Sequence, residues 1–233
     1  GAEALVRWIH HEKGFLSPGF FIGILENAGL IHWLDQYVWE EAAAILKSWQ
    51  GTEKEGLTIS VNISVSDMVH LDIFDTITDI VARHGIDPRQ LKLEITETTL
   101  MGDIEKYRVL IGRLQEAGFE VEIDDFGSGY SSLSMLKDIE ADILKIDMGF
   151  LSQTRNPKRS SVILNAVIAM AKWLGMRVIT EGVETKEQVE HLRLLGCDMF
   201  QGYFFAKPMP VEEFEAKYFQ EASNISAPPE AGR

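Results

Sequence analysis

EVEIDDFGSGYSS, residues 120–132, is a strand-like run that stops at two adjacent acids, Asp124 and Asp125, and passes directly into a glycine loop. Two carboxylates side by side repel each other, and burying them is costly unless a cation or a proton compensates. The same pattern recurs along the chain. Glu94 and Glu97 lie in LKLEITE, Asp147 ends LKID, and Glu181 and Glu184 lie in VITEGVE. Oxygen donors gathered at strand ends are the chemistry of a site for hard divalent metals.

Outward from this stretch, strand-like runs fall at 4–8, 57–63, 91–96, 119–124, 142–147, 177–182 and 198–202. Most are β-branched and nearly continuous in apolar character, as strands buried on both faces of a parallel sheet are. Helical patterns alternate with them at 35–49, 72–85, 103–118, 159–175 and 185–196, several with an acid or hydroxyl at the start and glycine at the end. The alternation predicts an α/β fold with a parallel sheet. The number of strand candidates points to a (β/α) barrel one strand short of eight. Such barrels carry their chemistry at the C-terminal ends of the strands. Asn62, Glu94, Asp124, Asp147, Glu181 and Gln201 all fall at or near those ends.

Composition narrows the function. The chain has 233 residues, 45% of them hydrophobic, enough for one sizeable core. A formal net charge of −14 argues against a groove for duplex DNA or RNA, although metals bound in a site would still admit a small phosphorylated ligand. The one cysteine, Cys197, excludes an intrachain disulfide framework and reads as a buried core thiol in a reducing compartment. No apolar run is long enough to span a membrane. His10 and His11 read as surface residues, Trp39, Ala43 and Leu46 as helix core, and the acids near Glu40 as a solvated face. Residues 220–233 read as a solvated tail following a domain of residues 1–219.

Seven motifs then stand in order: Glu3-Ala4-Leu5, SVNIS (60–64), LEITET (93–98), DDFGSGYSSL (124–133), LKIDMGF (144–150), TEGVET (180–185) and QGYFFAKPMP (201–210). Together they resemble the EAL domain, the bacterial phosphodiesterase family acting on cyclic di-GMP. The resemblance implies a modified TIM (β/α)8 barrel with two Mg²⁺ or Mn²⁺ ions, cleaving cyclic di-GMP to linear 5′-pGpG. It implies Glu3, Asn62, Glu94, Asp124, Asp125, Asp147 and Glu181 as metal ligands and Lys145 as the contact to the attacking water. Glu184 matches a further catalytic position, Arg7 and Gln201 match substrate-binding positions, and Glu97 matches the anchor of the loop at 126–132.

The departures are Gly23, Leu25, Ser128, Met148, Gly149 and Thr180, none of them a ligand position. The family's first strand, with its Tyr-Gln-Pro-like segment, is not present, which implies upstream sequence. By the same resemblance we expect a cytoplasmic homodimer, with a GGDEF or sensor domain upstream and any membrane anchor there too. A receptor of the same fold that binds cyclic di-GMP without hydrolysis is the alternative. Loss of ligands would mark it, and none is lost here.

Overall fold

The computed structural model describes residues 1–127, 135–147 and 157–219, with only the backbone at 157 and 158. Strand β1 (Ala2–Glu3) is followed by a hairpin of β2 (Trp8–His10) and β3 (Gly14–Leu16). Helix α1 (Pro18–Asn27) and the long α2 (Ile31–Trp49) come next. Then follow β4 (Ile59–Ile63), α3 (Val65–His70), α4 (Ile73–His84), β5 (Leu91–Thr96), α5 (Glu97–Leu100) and α6 (Ile104–Glu116). The second half comprises β6 (Val121–Phe126), β7 (Ile143–Asp147), α7 (Pro157–Trp173), β8 (Arg177–Glu181), α8 (Lys186–Leu194), β9 (Met199–Phe200) and α9 (Val211–Tyr218).

Seven of the strands form one parallel sheet in the order β1-β4-β5-β6-β7-β8-β9. The order follows the chain, and among the described residues most of these strands are joined through helices, as in a (β/α) barrel. Among the described residues β1 and β9 end the sheet without pairing with each other.

The strands are buried on both faces, but the faces differ in kind. Leu91, Leu93 and Ile95, Val121 and Ile123, and Leu144 and Ile146 pack with Trp39, Leu46, Ile77, Ile111 and Ile168 of the helices. The alternate positions carry Lys92, Glu94, Glu122, Asp124 and Lys145, all buried. Near the strands' N-terminal ends these charges are paired. Lys92 Nζ lies 3.1 Å from Glu122 Oε1, and Arg177 reaches Glu120 at 2.8 Å. A buried ion is tolerated only with such partners.

The helix ends follow the chain's local chemistry. Asp72 caps α4 through Asp75 N, and Gly85 closes it in the left-handed conformation that glycine adopts without a Cβ penalty. Ser64 and Asp67 form a reciprocal capping box that starts α3 at once after β4.

Two local expectations are corrected. The run at 4–8 is not a sheet strand: β1 is Ala2–Glu3, the chain leaves after Ala4, and Trp8 belongs to an antiparallel hairpin. Glu40 is not merely solvated, because it accepts from Arg83 and His84 of α4.

Candidate active site

The site residues hang from the C-terminal ends of neighbouring strands. In register, Asn62 of β4 lies opposite Glu94 of β5, Thr96 opposite Asp124 of β6, and Asp147 of β7 opposite Glu181 of β8. The register between β6 and β7 shifts between Ile123 and Phe126. Within that irregularity Asp125 takes φ 54°, and it is the one described non-glycine residue with positive φ. A bulge of this kind re-aims a side chain that regular pleating would send elsewhere. There Asp125 N donates to the Asp124 side-chain Oδ1 at 2.9 Å.

Lys145 stands in the middle. Its Nζ lies 2.7 Å from Glu94 Oε2, 2.7 Å from Glu181 Oε1, 3.2 Å from Asp124 Oδ1 and 3.7 Å from Glu3 Oε2. The side chain is 1% exposed. Burial alone would lower its pKa, but the surrounding Glu94, Glu3, Asp124 and Glu181 outweigh that and hold the ammonium raised. The carboxylates feel the reverse balance. Burial raises Glu94 to about 8 against the pull of Lys145, with Glu3 and Asp124 adding to the rise. Glu181 is raised to about 7 in the same way. Asp125 is also raised, by burial first and then by Asp124 and Asp147. These acids crowd more negative charge into one place than Lys145 neutralises.

The donor set fits hard divalent ions. It is all oxygen, and Glu94 Oε1 is buried without a hydrogen-bond partner among the described residues. No three acidic or histidine side chains among the described residues converge on one point as an ion requires. They converge on Lys145 instead.

Two further residues are tied in. Gln201 Nε2 donates to Glu3 Oε2 at 2.6 Å. Glu97, buried at the start of α5, accepts from Gly127 N at 3.0 Å, where the glycine loop begins. The rest of that loop, including Ser128 to Ser132, lies outside the described residues, as do Met148 and Gly149. Two expected residues are not joined to this cluster. Arg7 is exposed and donates to its neighbour Val6 O at 2.8 Å. The Glu184 side chain is exposed, and it does not cap α8, because Thr185 does. Cys197 is a core thiol as expected, and its Sγ meets the buried Thr180 hydroxyl at 3.1 Å.

Sequence reasoning took Trp39 only as core. It is fully buried, and its indole also donates to Asn62 O at 3.0 Å. A lone polar atom on an otherwise apolar helix face was the available signal.

A parallel sheet wound with helices, with acids and one lysine at its C-terminal rim, defines a modified TIM barrel. The EAL domain model matches residues 1–208, and the chain belongs to that family. It is 37% identical over 216 residues to the bifunctional diguanylate cyclase/cyclic di-GMP phosphodiesterase MucR of Pseudomonas aeruginosa, covering 93% of this chain and 32% of MucR. It is 39% identical over 219 residues to the cyclic di-GMP phosphodiesterase NbdA of the same organism, covering 93% of this chain and 28% of NbdA. The chain thus spans about a third of these curated relatives. The solved MucR phosphodiesterase in complex with c-di-GMP superposes with a TM-score of 0.84 at 37% identity, covering 91% of this chain and 86% of that one. An EAL domain protein from Listeria monocytogenes gives 0.81 at 32%, covering 93% and 84%.

Proposed function

We propose that this chain is a metal-dependent cyclic di-GMP phosphodiesterase domain that forms linear 5′-pGpG. The observation that carries the reading is the ring of carboxylates around Lys145 at the strand ends. The similarity to MucR and NbdA supplies the substrate.

Charge supports two divalent ions. Fully ionised, Glu3, Glu94, Asp124, Asp125, Asp147 and Glu181 with Lys145 would leave five negative charges in excess, and two Mg²⁺ or Mn²⁺ ions would reduce that to one. These six acids and Asn62 would hold them. Bound there, the ions would supply an activated water and a clamp on the phosphate.

The chain's own groups do the rest. Lys145 Nζ orients the attacking water and offsets charge in the transition state. The water oxygen bonds to phosphorus, the bond from phosphorus to the 3′ oxygen breaks, and that oxygen takes up a proton. Glu97 holds the glycine loop through Gly127, while Arg7 and Gln201 bind the nucleotide and Glu184 assists from the β8 side. A homodimer and an upstream GGDEF or sensor domain belong to the same proposal.

The test is incubation of the protein with cyclic di-GMP and Mg²⁺ or Mn²⁺, with products resolved by chromatography. The reading requires pGpG, absent with excess chelator and in Asp125→Asn. Binding without hydrolysis under both metals would make the domain a receptor.

A further inference from the structure

Helix α2 meets the end of β4 and the segment just after it at two points one turn apart, Trp39 and Asp35. The upper edge of β4 explains why Trp39 matters. Ala4 N donates to Ser60 O at 2.9 Å, the last bond from the β1 side to that edge. Carbonyls on one edge of a strand recur every second residue, so Asn62 O is the next acceptor there. The β1 chain has already turned away. The Trp39 indole N–H takes the missing place, 3.0 Å from Asn62 O.

Immediately beyond, the chain is fixed again. Ser64 N donates to Asp67 Oδ2 at 2.7 Å, and Asp67 N donates to Ser64 Oγ at 3.2 Å. The peptide that carries Asn62 is therefore held from α2 on one side and by the start of α3 on the other.

We propose that Trp39 is a positioning residue for Asn62, its N–H fixing the peptide plane from which the Asn62 amide is directed beside Glu94. This rests on the reading of Asn62 as a metal ligand. A ligand on a free strand end swings with its peptide plane, and groups that orient ligands affect metal affinity nearly as ligands do.

Trp39→Phe keeps the ring's bulk and removes the donor. The readout is Mn²⁺ affinity by calorimetry, with circular dichroism and metal-free melting as fold controls. The expected result is a native spectrum with affinity lowered about tenfold. In an Asn62→Ala background the same change should lower affinity no further. Unchanged affinity in Trp39→Phe, or an equal loss with and without Asn62, overturns the proposal. Failure of the unaltered protein to bind Mn²⁺ overturns the metal reading itself, and this inference with it. Should the Phe variant not fold, benzothienylalanine at position 39, with sulfur in place of N–H, is judged by the same criteria.

Discussion

Gln201 and Glu3 lie 198 positions apart, yet Gln201 Nε2 donates to Glu3 Oε2 at 2.6 Å. One follows β9 and the other ends β1, so the bond joins the two ends of the sheet at the site. Gln201 is set by its backbone: its N donates to Thr180 O at 2.9 Å, and its O accepts from Val183 N at 3.0 Å. The next residue, Gly202, packs against Val183 so closely that a Cβ would stand 2.2 Å from Val183 O. Gly202→Ala should therefore displace Gln201 and destabilise the protein by about 2 kcal/mol. Urea unfolding checks it, and wild-type stability would show that the backbone gives way freely.

Lys145 is the counter-charge to four carboxylates. Removing one partner from a buried ion cluster costs about 3–5 kcal/mol because the other charges remain. Lys145→Met should melt well below the wild type in chelator and gain more from added Mn²⁺ than the wild type does. Paired melting curves decide this. Equal gains would mean that lysine and metal do not share the same acids.

Glu97 accepts from Gly127 N. Glu97→Ala should lower kcat on the order of 10²-fold through misplacement of the loop, with Mn²⁺ affinity retained. Glu97→Gln keeps an acceptor oxygen and should retain most activity. Steady-state kinetics on the pair gives the answer. An unchanged kcat in the alanine variant rules out the anchor.

Asp35 is pushed up to about 8, by burial first and then by the charge of Asp67, with Ser64 opposing and Glu26 adding. Asp67 is fully buried and also raised by burial, with the hydrogen bonds from Ser64 and Asp35 opposing first and His32 after them. The folded state thus keeps a proton on Asp35 that the unfolded chain releases near the ordinary value of 3.8. Stability is fully present below that value and falls as pH rises toward 8. Asp35→Asn should flatten the decline and stabilise the protein at pH 8 by about 1–2 kcal/mol. Unfolding curves at several pH values test this, and an unaltered slope would refute it.

Much of this architecture was legible in the chain. Six strand runs coincide with sheet strands, and helices with an acid at the start and glycine at the end, such as Asp72 to Gly85, were read nearly to the residue. Helix α2 begins at Ile31 rather than Asp35, because Leu30 precedes it without a side-chain cap. Short elements such as α3 and α5 carry too few residues for a periodic signal. Strand β1, two residues long, is defined only by its neighbour β4. The strand-end acids were visible as a pattern, but the ligand roles came from the family resemblance. Neither source gave the link from Trp39 to Asn62, since a contact across 23 residues depends on where the helix lands. The expected tail at 220–233 lies outside the described residues.

The placement of Lys145 has a consequence for how the domain is made ready. Its ammonium balances part of the acids' charge, so the strand ends can pack together without every carboxylate being left uncompensated. On the proposed reading, ion capture would be an exchange of partners among these acids rather than a folding event. Readiness would track the ionic composition of the surroundings and could be withdrawn and restored without unmaking the barrel.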